Sequence, residues 1–176
     1  MSEKKNKTLY FLDELPDYKV ASHYSNVKGW KVKDADNRTI GEVDRLLVNK
    51  QTERVVYLDI EVDKSVIEQG HEPFEAKVSG GMHEFINKEG DNHLIIPIGM
   101  VELDEKHKIV RSDEINFATF AKTQRYNRGN EIVPEYETSV FRSYIGDDTF
   151  DRDVITQETF YMRREFRDRN DRDSSL

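Results

Sequence analysis

Val55–Val62 reads VVYLDIEV, and this stretch decides the fold. Val56, Leu58, Ile60 and Val62 alternate with Tyr57, Asp59 and Glu61. Such a period of two is that of a strand, because successive side chains point to opposite sides of the chain. The pattern predicts one apolar face and one wet, acidic face.

Upstream, Gly29–Lys33 (GWKVK) alternates in the same way, and Asp34–Arg38 (DADNR) has the Asp and Asn content of a turn. Ile40, Val43, Leu46, Leu47 and Val48 form a longer run, closed by a polar turn at Gln51–Glu53. Leu9–Leu15 (LYFLDEL) is a short apolar arm or strand that packs on the body and stops at Pro16. Downstream, His93–Met100 (HLIIPIGM) is another strand. Its Pro97 cannot donate to a ladder and marks an edge, a bulge or a strand end. Val101–Leu103 and Lys108–Val110 flank a four-residue hairpin loop, Asp104–His107. Many short strands separated by turns predict a mainly β barrel or sandwich.

The periodicity changes after Val110. Ser112 can cap a helix that has Asp113 and Glu114 in its first turn, with Phe117, Phe120 and Ala121 at helical spacing. Pro134 suits the first turn of a second helix. Tyr136, Val140, Phe141 and Tyr144 share one side of it, and Gly146 ends it. Two segments stand apart. Asp63–Asn92 is far longer than a hairpin loop, yet carries Val78, Met82 and Phe85. The tail 151–176 alternates charges around Phe160, Tyr161 and Phe166. Those six apolar residues are the expected interface, and removing 151–176 is expected to leave the barrel folded.

Val27–Asp34 (VKGWKVKD), Ile40–Val48 (IGEVDRLLV) and Arg54–Val62 (RVVYLDIEV) together resemble the first half of a PRC barrel, the domain named for the photosynthetic reaction-centre H subunit. Leu94–Gly99 (LIIPIG) with Val101–Asp104 (VELD) resembles its later strands. Ile115–Ala121, Ile132–Glu137 and Val140–Gly146 resemble the extension that follows the barrel in the H subunit. The resemblance implies a small barrel that caps or organises an assembly. It divides the chain into an arm (1–25), a barrel (26–112, with the insert 63–92), a helical extension (113–150) and a charged tail (151–176). The H subunit carries a membrane helix, which this sequence lacks, so the photosynthetic role is not transferred. Ribosome-maturation relatives carry an RNA-processing domain, and none is expected here. Stand-alone bacterial members, some linked to stress, have no assigned chemistry.

The 176 residues include 27 basic and 35 acidic side chains, a net charge of −8, which disfavours nucleic acid and anionic membranes. The absence of cysteine removes thiol chemistry and fits a cytoplasmic protein. Met1–Lys7 lacks the apolar core of a signal peptide, and no apolar run is long enough to span a bilayer.

Motifs that begin well fail on completion. Asp34-x-Asp36-x-Arg38 has Thr39 and Arg45 where a calcium loop needs Gly and Glu. His71-Glu72 and His83-Glu84 are followed by Glu75 and Asn87 where a zinc helix needs its second His. His23, His93 and His107 are scattered as well and read as surface histidines. Ser79 lacks the first Gly of a nucleophile elbow. No catalytic residue, metal or cofactor is expected. Glu42, Asp44, Asp59 and Glu61 form a candidate acidic patch on the wet face, where close carboxylates could relay protons.

The sequence therefore predicts a non-enzymatic binding or assembly module that meets a protein partner or itself as a homo-oligomer. The alternative is a small-ligand, metal or proton-handling module in the barrel mouth, including a reaction-centre-like accessory role in electron transfer.

Overall fold

The computed structural model describes residues 9–15, 24, 27–66, 92–151 and 157–167. Seven strands form one sheet: β1 (Leu9–Phe11), β2 (Lys31–Lys33), β3 (Thr39–Asn49), β4 (Arg54–Val62), β5 (His93–Pro97), β6 (Glu102–Asp104) and β7 (Ile109–Arg111). Three helices follow: α1 (Phe117–Lys122), α2 (Pro134–Ile145) and α3 (Gln157–Phe160). The strand order is β5-β4-β3-β2-β7-β6. β1 and β2 share one edge of the long β3, pairing with Leu47–Asn49 and Thr39–Glu42 respectively. All pairings are antiparallel except β2 with β7. None of the described helices is long and apolar enough to cross a membrane.

Local chemistry explains the elements. The Asp34 Oδ1 accepts from the backbone N–H of Asp36 (3.0 Å) and of Arg38 (2.7 Å), which closes the β2–β3 turn. Asp104 does the same for the β6–β7 hairpin, accepting from the His107 N–H at 3.1 Å. Pro97 is the last residue of β5, where its missing N–H costs no ladder bond. Pro134 opens α2, and Gly146 (φ 70°) ends it in the left-handed conformation. Gly41 lets β3 approach β4 closely: a Cβ there would lie 2.2 Å from the Glu61 carbonyl oxygen.

Three expectations are corrected. Ser112 does not cap α1. It is buried, and its N–H donates to the Lys33 carbonyl, while Asn116 is the cap and its Oδ1 accepts from the Thr119 N–H at 2.9 Å. The polar side of β4 is wet only at Glu61, since Tyr57 and Asp59 are both fully buried. The reason is that α2 and the segment 157–167 provide a second layer on that side. Tyr57 and Tyr161 both donate to the Glu137 Oε1 of α2 at 2.7 Å, and the Tyr57 and Phe166 rings meet edge-on.

The third correction concerns Phe160, Tyr161 and Phe166. They are buried within this chain, with Phe160 and Phe166 against the Phe141 ring and all three rings against one another, so they are core and not an open interface. The segment that holds them is likewise part of the packed body. Val78, Met82 and Phe85 lie outside the described residues.

Candidate functional site

The four candidate acids separate into two pairs. Glu42 and Glu61 are exposed and directly opposed across β3 and β4, and the Lys31 ammonium ion-pairs with Glu42. Asp59 shares a face of β4 with Glu61 but is fully buried, and Asp44 is largely covered beside it. The register sets Asp44 apart from its neighbours: Val43 pairs with Ile60 and Arg45 with Asp59, leaving Asp44 as an extra residue. A bulge of this kind kinks a strand and re-aims its side chains.

The bulge builds an ionic cluster. The Arg45 Nε donates to the Asp59 Oδ2 at 2.9 Å, and the guanidinium lies 3.6 Å from the centre of the Phe11 ring. His93, on β5, contacts the Asp59 Oδ1 through Nδ1 at 2.9 Å. The Tyr126 hydroxyl donates to that same oxygen. Burial and the Asp59 charge raise the Tyr126 pKa, so its proton stays in place to be donated. Backbone bonds in both directions between His93 and Tyr126 hold the linking segment on β5. Arg128, on the same segment, donates from Nε to the Asp44 Oδ2 at 2.7 Å. Burial works against ionisation of Asp44, but Arg128, with help from His93 and Arg45, outweighs it and lowers the pKa.

Two aspartates thus face two guanidiniums and one imidazole. This arrangement cannot act as a set of mutually repelling carboxylates, because Arg45 stands beside Asp59 and Arg128 beside Asp44. It ties β3, β4, β5 and the link to the extension together. A buried carboxylate with three hydrogen-bond partners is held where a lone one would be costly.

A pocket of about 240 Å³ opens beside the cluster. Leu12, Tyr24, Val27, Val43 and Leu46 supply apolar walls, and Asp13, Lys28, Asp44 and Arg45 the polar groups. Sequence reasoning found Asp44 and Asp59 but set His93 aside as a surface residue. The available signal was its place at the start of a wholly apolar strand, where burial is the rule. Arg45, Tyr126 and Arg128 left no trace, since only the pairing brings them together.

This sheet, with its crossed pairing on β3 and its helical cover, is that of a small β-module. The chain belongs to the PRC-barrel domain family, whose model matches residues 19–116. No curated protein matches it.

Proposed function

We propose that the protein is a non-enzymatic binding and assembly module that works through protein contacts. Family membership supports a module of this general kind. The observation that carries the reading is the pocket between Leu12, Val27 and β3. At about 240 Å³ it falls below the size of most cofactor sites and suits one side chain of a partner. Its walls are apolar and its polar groups carry both signs, Asp13 and Asp44 with Lys28 and Arg45, the chemistry of a receptor for an apolar anchor with a polar flank. The Asp59 cluster supports the non-enzymatic reading. Among the described residues no serine or threonine hydroxyl bonds to His93, and Asp59 is already engaged by three groups. A role in stress adaptation would extend the reading by analogy with stand-alone relatives.

The test is light scattering of the full-length chain across a range of concentrations, repeated with Leu12→Glu. A mass above 20.7 kDa that the substitution lowers supports self-association through the pocket. A monomer throughout removes the self-association version, leaving cross-linking in the native cell to find another protein. If wild type and Leu12→Glu cross-link alike, or neither does, the pocket is not the contact.

A further inference from the structure

We propose that His93 and Asp44, the latter on the wall of this pocket, form a binding site for a divalent transition-metal ion. The argument starts from the histidine. His93 is 2% exposed, and its Nδ1 lies 2.9 Å from the Asp59 Oδ1. A carboxylate only accepts, so Nδ1 carries a proton and Nε2 is the nitrogen on which an ion can bind. A carboxylate on one ring nitrogen is the arrangement that orients metal-binding histidines through the other. Among the described residues, Nε2 makes no hydrogen bond. The nearest charged atom is the Asp44 Oδ2 at 3.9 Å. The Nε2 side of this largely buried imidazole therefore faces a carboxylate.

The spacing fits one ion. Ligand bonds of about 2.1 Å at a tetrahedral angle place two donor atoms roughly 3.4 Å apart. Asp44 has to move only about 0.5 Å to meet that distance. Asp44, Asp59 and His93 offer donor atoms all within 4.8 Å of one another. With Asp59 spent on Arg45, Tyr126 and the histidine, the ion takes His93 and Asp44 and completes its shell with water. One imidazole and one carboxylate favour zinc, copper or nickel over calcium or magnesium.

Charge decides what has to move. Asp44 and Asp59 are balanced by Arg45 and Arg128, so an added dication is not accommodated with all four in place. The Arg45 side chain is only 10% exposed and is fixed by Asp59, whereas that of Arg128 is 53% exposed. Arg128 is the group that leaves, and the ion replaces it on Asp44. Asp13, on the same pocket and within electrostatic reach of Arg128, supplies the further negative charge that balances the exchange.

The experiment is titration calorimetry of chelator-treated full-length protein with zinc chloride and nickel chloride, with cobalt chloride added for its visible absorption. Expected is one ion per chain, competed by chelator and not by magnesium. Asp44→Asn and His93→Gln should abolish binding and the cobalt spectrum, while His107→Gln, at the exposed hairpin, should change neither. Arg128→Gln should tighten binding about two- to fivefold, the worth of one exposed ion pair. That gain separates an ion site from a merely structural cluster, whose loosening cannot improve affinity. No binding, binding that survives Asp44→Asn and His93→Gln, or weaker binding in Arg128→Gln would each overturn the proposal. Because Asp44 is near the surface, Asp44→Asn keeps the test decisive should His93→Gln not fold.

Discussion

Gly99→Ala should unseat the segment 164–167 while leaving the sheet paired. A Cβ at Gly99 would lie 2.5 Å from the carbonyl oxygen of Arg164, 2.6 Å from that of Glu165 and 2.7 Å from that of Arg167. Ordinary contact requires more than 3 Å, and all three obstacles are backbone, which cannot rotate aside as a side-chain tip would. If the segment retreats as a body, the cost is that of overpacking, about 1–3 kcal/mol. If it detaches, Phe166, Tyr161 and Phe160 lose their burial at about 1.5–3 kcal/mol each. Full detachment then approaches the whole stability of an ordinary domain, about 5–15 kcal/mol. The smaller figure is expected for the global transition, with local opening ahead of it. The assays are urea unfolding and timed trypsin cleavage after Arg163 and Arg164. Gly129→Ala is the control, because the nearest atom to its Cβ is a side-chain oxygen at 3.6 Å. Equal midpoints and equal cleavage rates in wild type and Gly99→Ala would refute the close approach of the three carbonyls.

Three further outcomes can be checked by urea unfolding. Gly41→Ala drives a Cβ to 2.2 Å from the Glu61 carbonyl oxygen and should cost at least about 3 kcal/mol, the top of the usual overpacking range; a midpoint equal to wild type would contradict the β3–β4 spacing. Phe166→Ala empties a fully buried site bordered by the rings of Tyr57, Phe141, Phe160 and Tyr161 and should cost about 3–5 kcal/mol; a loss below 1 kcal/mol, about the level of an exposed site, would return this residue to the surface. Tyr161→Phe removes one of two hydroxyls on the Glu137 carboxylate and should cost about 1.5–3 kcal/mol, with Tyr57→Phe non-additive beside it; strict additivity would show that the two bonds are independent.

The sheet was legible because its signals are local. Period-two alternation placed β4, turn residues bounded β2 and β3, and Pro97 fell at a strand end as its chemistry requires. The helix from Pro134 to Gly146 was equally plain, since its first-turn proline, its apolar stripe and its terminal glycine agree. Illegible was everything that depends on one layer covering another. Tyr57 and Asp59 have the polarity of a wet face, and the sequence around them holds no sign that α2 and Phe166 lie across it. Phe160, Tyr161 and Phe166 sit among arginines and aspartates, so their flanks suggested an open surface. In the structure Arg164 and Arg167 face outward while the rings turn in, an alternation that a four-residue helix followed by a tight turn hides from any single period.

The bulge at Asp44 is the step that joins fold to site. Without the extra residue, Asp44 and Arg45 would project from opposite faces of β3, as neighbours in a strand do. With it, Arg45 reaches Asp59 while Asp44 still stands by His93 and Arg128. The insertion is costly as sheet geometry, because it interrupts a ladder in the longest strand. What it gains is a connection among β3, β4, β5 and the linking segment through one set of side chains. The extension and the segment after it are therefore fastened to the sheet by contacts of different chemistry, among them an ionic one at Asp59 and an aromatic one at Phe166. The aromatic fastening is buried and insensitive to salt. The ionic one includes the exposed Arg128 and can be exchanged. A ligand or partner acting on this protein through the Asp44 pocket would thus loosen or tighten one fastening while the other keeps the body folded.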